Sequence, residues 1–542
     1  MSNGLFKIPT AANEPIKDYA PGSPERASLK KEIERQSKIK IEIPAIIDGK
    51  PYITSNKEYI VMPHDHNHVL AEVSIADDEG IELAIQSSLA AREKWDKMPW
   101  QHRASIFIKA LNLVRGPWRD RLIAATMLGQ SKTCFQAEID AACEVCDFFS
   151  YNLAEMQEIY EFQPRQTPGA WNRMEYRGLD GFVLAISPFN FTALGANLSC
   201  APAIMGNTVI WKPARTAMLS NYYFYQMLLE AGLPPGVINF LPASGSAVSR
   251  LVVPHPKLAG LNFTGSDSTF STLWGNIGNN ISTYHQYPRM VGETGGKDFI
   301  FVHPSAEIPP LISAMVRGAF EYQGQKCAAA SRAYVPRSLW PQVKEMLLAK
   351  TAEIKVGDPS DFTNLMAAVI DRSAFDSIKS YIDYARESDE AEVLTGHYDD
   401  SKGYFVYPTI IETTNPRFKT MREEIFGPVL TIYVYEDDEL DSAVRHCKED
   451  TIYALTGSIF AQSREAIVAL ESEFNYTAGN IYINDKPTGS TVGLQPFGGS
   501  MMSGTNDKTG TKMNLYRWIS ARTIKENFVP TDDVNYISMQ ER

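Results

Sequence analysis

From residue 181 onward the chain contains short apolar runs that do not alternate with polar residues. Most of them lead into a helical pattern, and they span residues 182–186, 208–211, 237–241, 258–263 and 299–302. Consecutive apolar positions indicate strands that are covered on both faces, and strands that alternate with helices indicate a parallel sheet. The pattern therefore predicts an α/β fold built on a doubly wound parallel sheet.

Polar or glycine residues follow three of these predicted strands. They are the segment 187–190, Lys212, and the pair Gly265-Ser266. In doubly wound sheets, ligands bind beyond the carboxyl ends of the strands, often where the strand order reverses. We therefore expect a ligand site at this edge of the sheet.

Other patterns predict elements outside this sheet. The Ser-Pro pair at residues 23–24 is typical of a helix start, Asp-Gly at 48–49 is typical of a hairpin turn, and the apolar spacing in 81–89 indicates a helix. Two further segments, 166–177 and 516–524, leave two interpretations open. They are either extended arms that pair with each other and with another subunit, or a surface loop and a terminal strand.

Composition narrows the class of protein. Of the 542 residues, 44% are hydrophobic and 21% are charged, which is typical of a folded globular chain, and the length predicts two or more domains. The net charge of −12 argues against a general electrostatic attraction to nucleic acid or to an anionic membrane. No apolar stretch is long enough to predict a membrane-spanning helix.

The cysteines and the N-terminal residues bear on the cellular compartment. Six cysteines in so long a chain do not make a disulfide scaffold, so we expect a reducing compartment. The N-terminus lacks an apolar signal core, and Glu14 and Asp18 argue against an acid-poor transit peptide. We expect the cytoplasm, with a processed form in the mitochondrial matrix as the alternative.

Cys143 and Cys146 have no second pair, so we expect helix thiols rather than metal ligands.

Two residues are candidates for nucleophilic catalysis. Cys327 follows a helical pattern and a glycine-containing approach that leaves room for a substrate, and Lys326 adds positive charge that favours the thiolate. Glu293 lies in a predicted glycine-flanked turn, where burial would raise its pKa and suit it to act as a general base. Taken alone, each residue has a plainer interpretation, as an inert buried thiol and as part of a surface turn.

Two segments after predicted strands are candidates for binding. The Asn190 amide either stabilises a developing oxyanion or caps the next helix. The segment 263–269 combines a strand with a helix start whose free N–H groups suit a pyrophosphate. Because the G-x-G-x-x-G fingerprint is absent, the segment alone is also compatible with an ordinary capped loop.

Taken together, these segments resemble the aldehyde dehydrogenase superfamily. Between residues 187 and 499 the family's motifs occur in the family's order. They are Pro-Phe-Asn with Asn190, Trp-Lys-Pro with Lys212, Phe-Thr-Gly-Ser with Gly265 and Ser266, the motifs around Glu293 and Cys327, Glu-Glu-Ile-Phe-Gly-Pro with Glu424 and Phe426, and Pro-Phe-Gly-Gly with Phe497. Each motif is weak alone, but the ordered set is specific. Ala328 is one departure, since the family commonly has Ser there.

The resemblance implies an aldehyde dehydrogenase-like α/β fold. It comprises a doubly wound NAD-binding domain, an α/β catalytic domain and a small β oligomerisation arm. We expect the NAD-binding domain, with an N-terminal extension, in residues 1–152 and 174–292. The catalytic domain is expected in 293–499 and the arm in 153–173 and 500–542. A homodimer is the minimal assembly expected, and a higher homo-oligomer stays open.

The resemblance also implies a chemical mechanism. Cys327 attacks an aldehyde, and Asn190 with the Cys327 N–H stabilises the oxyanion. After a hydride has passed to the cofactor, Glu293 activates the water that hydrolyses the thioester. NAD is the implied cofactor, although Lys212 leaves NADP open, and no metal is implied. The implied cofactor-binding residues are Ser187, Lys212, Gly265, Ser266, Asp267, Ser268, Thr269, Glu424 and Phe426.

Segments near residues 187–193, 320–327 and 482–508 look most like one branch of the superfamily. That branch oxidises L-glutamate gamma-semialdehyde, formed from delta-1-pyrroline-5-carboxylate, to L-glutamate in proline catabolism. The implied substrate-binding residues are Ser490, Gly489, Phe191, Phe497 and Glu144. For Glu144, a solvated helix carboxylate is the plainer alternative.

Three other functions stay open at this point. The first is the same chemistry on another aldehyde, such as succinate semialdehyde. The second is an acyl-transferring variant in which CoA rather than water resolves the thioester, against which Glu293 argues. The third is a non-catalytic protein on this fold, which predicts loss of Cys327 or Glu293, although both are present.

Overall fold

The computed structural model describes residues 4–541 of the chain. In that part the strands are, in chain order, β1 (Ile41–Ile43), β2 (Ala45–Ile47), β3 (Lys50–Tyr52), β4 (Lys57–Met62), β5 (Asp65–Ser74), β6 (Ala170–Arg177), β7 (Phe182–Ile186), β8 (Thr208–Lys212), β9 (Ile238–Phe240), β10 (Leu258–Thr264), β11 (Arg289–Glu293), β12 (Asp298–Val302), β13 (Ala330–Pro336), β14 (Ala391–Thr395), β15 (Tyr398–Asp399), β16 (Phe405–Val406), β17 (Thr409–Thr413), β18 (Val429–Tyr435), β19 (Tyr453–Ala454), β20 (Thr456–Phe460), β21 (Asn480–Ile483), β22 (Ser500–Met501) and β23 (Ser520–Asn527).

The α-helices of residues 4–541 cover the sheets and separate most of their strands. In chain order they are α1 (Pro24–Ser37), α2 (Asp78–Asp96), α3 (Trp100–Arg115), α4 (Arg119–Gln130), α5 (Cys134–Glu138), α6 (Val145–Glu161), α7 (Thr192–Ile204), α8 (Met218–Ala231), α9 (Gly245–Leu251), α10 (Asp267–Asn279), α11 (Ile308–Phe320), α12 (Trp340–Ala352), α13 (Arg372–Arg386), α14 (Lys419–Arg422), α15 (Leu440–Glu449), α16 (Arg464–Glu473) and α17 (Lys512–Leu515).

The first large sheet has the strand order β11-β10-β7-β8-β9-β2-β3, and its first five strands are parallel. Four of the predicted apolar runs form β7 to β10, and most of their side chains are buried. Helices cover both faces, which is why these runs do not alternate. The order reverses at β7, because β8 lies on one side of it and β10 on the other. The predicted α/β fold with a doubly wound parallel sheet is confirmed.

The second large sheet has the order β14-β17-β18-β13-β12-β20-β21 and is parallel except for β14. The fifth predicted run belongs to this sheet as β12, whose five residues are all buried. Its two faces pack into separate apolar clusters, one around Phe301 and one around Ile300. The alternation of strand and helix thus continues into a second layered unit.

The arms predicted at residues 166–177 and 516–524 do pair with each other. β6 and β23 run antiparallel from Ala170↔Asn527 to Arg177↔Ser520 and form a sheet of their own. Neither strand has a fully buried residue, although Tyr176 of β6 packs at the edge of one core. The boundary expected between residues 173 and 174 falls inside β6. The three-domain division stays a prediction.

Several local predictions near the N-terminus are confirmed. Ser23 caps α1 by accepting a hydrogen bond from the Arg26 N–H. Asp48 and Gly49, both with positive φ, turn the chain between β2 and β3. The pair β4 and β5, which joins β1 in a three-stranded sheet, was not predicted.

All six cysteines are free thiols. Cys143 and Cys146 are buried, and within residues 4–541 no cluster of three or more His, Cys, Asp or Glu side chains has metal-site geometry. In the same range, no helix combines the length and the apolar character needed to cross a bilayer.

Candidate active site

Cys327 lies on a tight approach between α11 and β13. α11 ends at Phe320, and Tyr322 and Gln323 adopt left-handed backbone angles with φ of 51° and 56°. Gly324 then packs against Gly427, whose carbonyl oxygen would lie 2.2 Å from any Cβ. This close approach ends the helix and turns the chain toward the thiol.

Glu293 faces this thiol from the first sheet. Its Oε1 accepts a hydrogen bond from Cys327 Sγ at 3.4 Å. Glu293 is the last residue of β11, paired with Thr264, so the predicted glycine-flanked turn is wrong. The turn begins one residue later. The sequence did not reveal β11, because this edge strand has only two buried apolar side chains, Met290 and Val291. Burial raises the pKa of Glu293 to about 7, although the hydrogen bond from the Cys327 thiol opposes this increase.

The protonation of Cys327 differs from the prediction. Burial and the nearby Glu293 raise the pKa of the thiol well above its ordinary value. Lys326 does not offset this, because its Nζ lies 3.4 Å from Glu321 Oε2 and pairs with that carboxylate. The position of Lys326 next to Cys327 in the sequence therefore does not place its positive charge near the thiol. In this geometry the thiol is neutral and its proton is directed at Glu293.

Asn190 does not cap the helix that follows it. Phe191 occupies the cap position of α7, and Asn190 Nδ2 donates to the Gln325 carbonyl oxygen at 3.1 Å. This bond ties the loop after β7 to the loop that carries Cys327. Because an amide nitrogen has two hydrogens, one remains for another acceptor.

Two cavities meet at Cys327. The first, here called the thiol–glutamate cavity, is lined by Gln136, Ile139, Glu144, Phe148, Phe191, Leu194, Glu293, Lys326, Cys327, Ala328, Thr488, Gly489, Ser490, Val492, Gln495, Phe497 and Thr509. The second, here called the strand-end cavity, is lined by Ile186, Ser187, Pro188, Phe189, Asn190, Lys212, Ala214, Phe263, Thr264, Gly265, Ser266, Thr269, Thr294, Gly295, Cys327, Glu424 and Phe426. A group at the thiol therefore reaches both.

The strand-end cavity lies at the carboxyl ends of β7, β8 and β10, where the strand order reverses, as predicted. It brings together most of the residues implied for the cofactor: Ser187, Lys212, Gly265, Ser266, Thr269, Glu424 and Phe426. Asp267 and Ser268 do not line it. Asp267 is the first residue of α10, and Ser268 Oγ lies 3.2 Å from Ser266 Oγ.

Glu424 closes the strand-end cavity near Cys327. Its Oε1 accepts the Gly296 N–H at 2.9 Å, and burial raises its pKa to about 7. A Cβ at Gly295 would lie 2.5 Å from Glu424 Oε2, so any larger residue there would displace this carboxylate. Phe426, with φ of 54°, meets Phe189 edge to face at 5.7 Å. A carboxylate with unused acceptor positions and a free helix N-terminus suit the hydroxyls and the pyrophosphate of a dinucleotide.

The thiol–glutamate cavity holds all the residues implied for the substrate. Gly489, with φ of 92°, and Ser490 lie on one wall, and the rings of Phe191 and Phe497 face it. Glu144 lies at the end of a π-helical turn, Ile139–Glu144, and lines this cavity as a half-buried side chain. Burial and the charge of Asp140 raise the pKa of Glu144 to about 8.

Sequence reasoning missed a buried ion pair beneath both cavities. Lys132 Nζ lies 2.7 Å from Asp140 Oδ2, and neither side chain is exposed. Asp140 also accepts the N–H groups of Thr192 and Ala193, which begin α7 just after Asn190. The only signal in the sequence is Lys132 itself, and a lysine at such a position is usually expected to be exposed to solvent. The pair fixes the Asn190 loop to the turn that carries Glu144.

We expect Lys132→Met to destabilise the fold strongly, because Asp140 would lose its buried cation. Breaking such a pair costs about 3–5 kcal/mol, which the urea unfolding midpoint should register. Lys38→Met is the matched control, since Lys38 pairs with Glu34 on an exposed helix face and its loss costs under about 1 kcal/mol. Similar shifts in the two variants would contradict this role.

Comparisons with known proteins agree with this geometry. Residues 52–524 match the family described as the aldehyde dehydrogenase family. The mitochondrial delta-1-pyrroline-5-carboxylate dehydrogenase of Dictyostelium discoideum is 49% identical over 533 residues, which is 98% of this chain and 96% of that protein. The human mitochondrial enzyme of the same name is 47% identical over 531 residues, or 98% and 94%.

A solved structure is similar over the whole chain. It is the delta-pyrroline-5-carboxylate dehydrogenase from Mycobacterium tuberculosis bound with NAD, at 46% identity and a TM-score of 0.96, covering 100% of both chains. The resemblance in the motifs, the match over most of the chain and the shared fold lead to one conclusion. The chain belongs to the aldehyde dehydrogenase family.

Proposed function

We propose that the chain is an NAD-dependent dehydrogenase that oxidises L-glutamate gamma-semialdehyde, the open form of delta-1-pyrroline-5-carboxylate, to L-glutamate in proline catabolism. One observation carries the chemistry. Cys327 lines both cavities, and its Sγ lies 3.4 Å from Glu293 Oε1. A nucleophile, a base and a cofactor cavity thus meet at one atom. The relatives named above carry the substrate assignment.

The residues have distinct proposed tasks. Cys327 reacts as its thiolate, after the thiol proton has passed to solvent, and its Sγ bonds to the aldehyde carbon. The free hydrogen of Asn190 Nδ2 and the Cys327 N–H stabilise the oxyanion. NAD, when bound in the strand-end cavity, supplies the hydride acceptor. Glu293 then removes a proton from the water that hydrolyses the thioester, a task suited to its pKa of about 7.

Cofactor binding is assigned to the strand-end cavity. Ser187 and Lys212 hold the adenosine ribose side, Gly265 to Thr269 the pyrophosphate, and Glu424 with Phe426 the nicotinamide ribose. Asp267 and Ser268 act through the backbone N–H groups at the start of α10 rather than by lining the cavity.

Substrate binding is assigned to the thiol–glutamate cavity. The N–H groups around Gly489 and the Ser490 hydroxyl take the α-carboxylate. Glu144 takes the α-amine, and Phe191 and Phe497 contact the methylene chain. These groups match a substrate with charge at the end remote from its aldehyde.

We expect Ser490→Ala to discriminate between aldehydes. A hydrogen bond to a charged group contributes about 1.5–3 kcal/mol, so kcat/KM for glutamate semialdehyde should fall by about 10–100-fold, while that for a simple alkyl aldehyde changes little. Thr491→Ala removes the neighbouring hydroxyl, which lies outside the cavity lining, and serves as the matched control. Equal losses for both aldehydes would refute the anchor role.

The proposed function is tested by NADH formation with pyrroline-5-carboxylate against a panel of aldehydes. The expected result is the highest kcat/KM with pyrroline-5-carboxylate, and a product that does not change when CoA is added. Higher kcat/KM with succinate semialdehyde, or a CoA ester as product, would replace this function with one of the alternatives.

Assembly and compartment complete the proposal. We propose a homodimer, or a higher homo-oligomer, in which the β6–β23 ribbon contacts another subunit, because a two-stranded ribbon alone leaves both its edges unpaired. The six free thiols suit a reducing compartment, the cytoplasm or the mitochondrial matrix.

A further inference from the structure

A third cavity adjoins the strand-end cavity at Lys212. It is here called the side cavity and is lined by Glu58, Val73, Ile75, Lys212, Pro213, Arg215, Met218, Ala243, Ser244 and Gly245. Lys212 lines both cavities, so the side cavity adjoins the strand-end cavity at this side chain. The strand-end cavity thus extends away from Cys327 toward a group of charged residues.

The charged residues of the side cavity are poorly satisfied within the chain. Lys212 Nζ has a single long contact, 3.5 Å to the Pro213 carbonyl oxygen, and burial lowers its pKa. Glu58 belongs to β4, and its buried Oε2 has no hydrogen-bond partner in residues 4–541. The Arg215 guanidinium lies 3.8 Å from Glu58 and 3.7 Å from Asp371, both beyond hydrogen-bond distance. These groups keep hydrogen-bonding capacity that a ligand entering the cavity can use.

The position of the side cavity indicates which part of a dinucleotide it meets. With the nicotinamide at Cys327, the adenosine ribose lies toward Lys212, at the carboxyl end of β8. In dinucleotide-binding sheets an acidic residue near this point accepts the ribose 2′-hydroxyl of NAD, whereas an arginine accommodates the 2′-phosphate of NADP. This chain places one residue of each kind, Glu58 and Arg215, at the same point.

Glu58 and Arg215 favour different cofactors, since a carboxylate suits the 2′-hydroxyl of NAD and a guanidinium suits the 2′-phosphate of NADP. The charges around them determine which cofactor binds. A carboxylate accepts a hydrogen bond from a hydroxyl but repels a phosphate dianion. Arg215 also faces Glu58, which lowers its effective charge toward a phosphate. We infer that Glu58 accepts the adenosine 2′-hydroxyl and is the residue that selects NAD over NADP, with Arg215 supporting the carboxylate. This inference rests on one part of the proposed function, the binding of NAD in the strand-end cavity.

The direct test is the cofactor preference of Glu58→Gln. The NADP-to-NAD ratio of kcat/KM should rise at least tenfold, because the repulsion is removed while Lys212 and Arg215 remain. Glu72→Gln is the matched control, since Glu72 lies on β5 of the same small sheet, pairs with Lys40 and does not line the side cavity. A ratio within twofold of wild type, or a wild-type enzyme that uses both cofactors equally, would overturn the inference.

A binding measurement keeps the test independent of any variant and of the aldehyde. NAD, and NAD that lacks the 2′-hydroxyl of the adenosine ribose, are titrated into the wild-type protein, and the affinity of each is measured by calorimetry. We expect about tenfold weaker binding of the deoxy compound, as for loss of one hydrogen bond to a charged group. Equal affinities would refute the role of Glu58. Tight NAD binding without oxidation of glutamate semialdehyde would instead count against the proposed function.

Discussion

Replacing Cys327 with alanine is expected to abolish aldehyde oxidation. The thiol is the nucleophile at the junction of both cavities, and no other cysteine lines either of them. Removing a catalytic nucleophile lowers turnover by about 10⁴-fold or more. NADH formation with pyrroline-5-carboxylate should fall to background. NAD affinity should stay within a few-fold of wild type, because the cofactor residues are untouched.

The matched control is Cys447→Ala. Cys447 is a buried thiol on α15, in the core of the second sheet and away from both cavities. This variant should keep near wild-type turnover at some cost in stability. Retained turnover in Cys327→Ala would remove Cys327 from the mechanism, and loss of NAD binding would mean that the variant no longer folds correctly.

Replacing Glu293 with glutamine is the second change with a large expected effect. The amide cannot accept a proton from water, so hydrolysis of the thioester should become rate-limiting. Loss of a general base lowers the rate by about 10²–10⁴-fold. Rapid mixing should show up to one equivalent of NADH per Cys327, followed by very slow turnover. Glu423→Gln, next to the cofactor residue Glu424 but outside both cavities, should behave like wild type.

The raised pKa of Glu293 sets the expected pH dependence. The carboxylate is the form that accepts a proton, and it predominates above a pKa of about 7 and is lost below it. Wild-type turnover should therefore rise between pH 6 and pH 8. The neutral Cys327 thiol adds to the same trend, because its thiolate form also increases with pH. A wild-type profile that falls over this range would contradict the assignment of Glu293 as base.

The sequence predicted the strands whose faces are both buried, because burial leaves an unbroken apolar run. β7 to β10 and β12 are of this kind. It missed β11, since an edge strand with Arg289, Gly292 and Glu293 in five positions has no such run. β4 and β5 were missed for a similar reason, because their side chains are only partly buried.

The candidate site was predictable as a set of residues but not as a geometry. The motifs identified Cys327, Glu293 and Asn190 as members of one candidate site. In the structure these residues lie around the junction of the two cavities. The direction of Lys326 and the raised pKa of the thiol depend on Glu321 and on burial, which adjacency does not reveal. Lys132 and Asp140 are eight residues apart, and Glu58 and Arg215 are distant in sequence, but no motif links the members of either pair and only folding brings them together.

Covalent catalysis at Cys327 is tested most directly by the mass of the Cys327 peptide from Glu293→Gln after mixing with NAD and pyrroline-5-carboxylate. Before slow hydrolysis, we expect this peptide to gain the mass of a glutamyl group joined through the γ-carbonyl as a thioester. The peptides of the other five cysteines should be unchanged. NADH release with an unmodified Cys327, or acylation of another residue, would contradict covalent catalysis at Cys327.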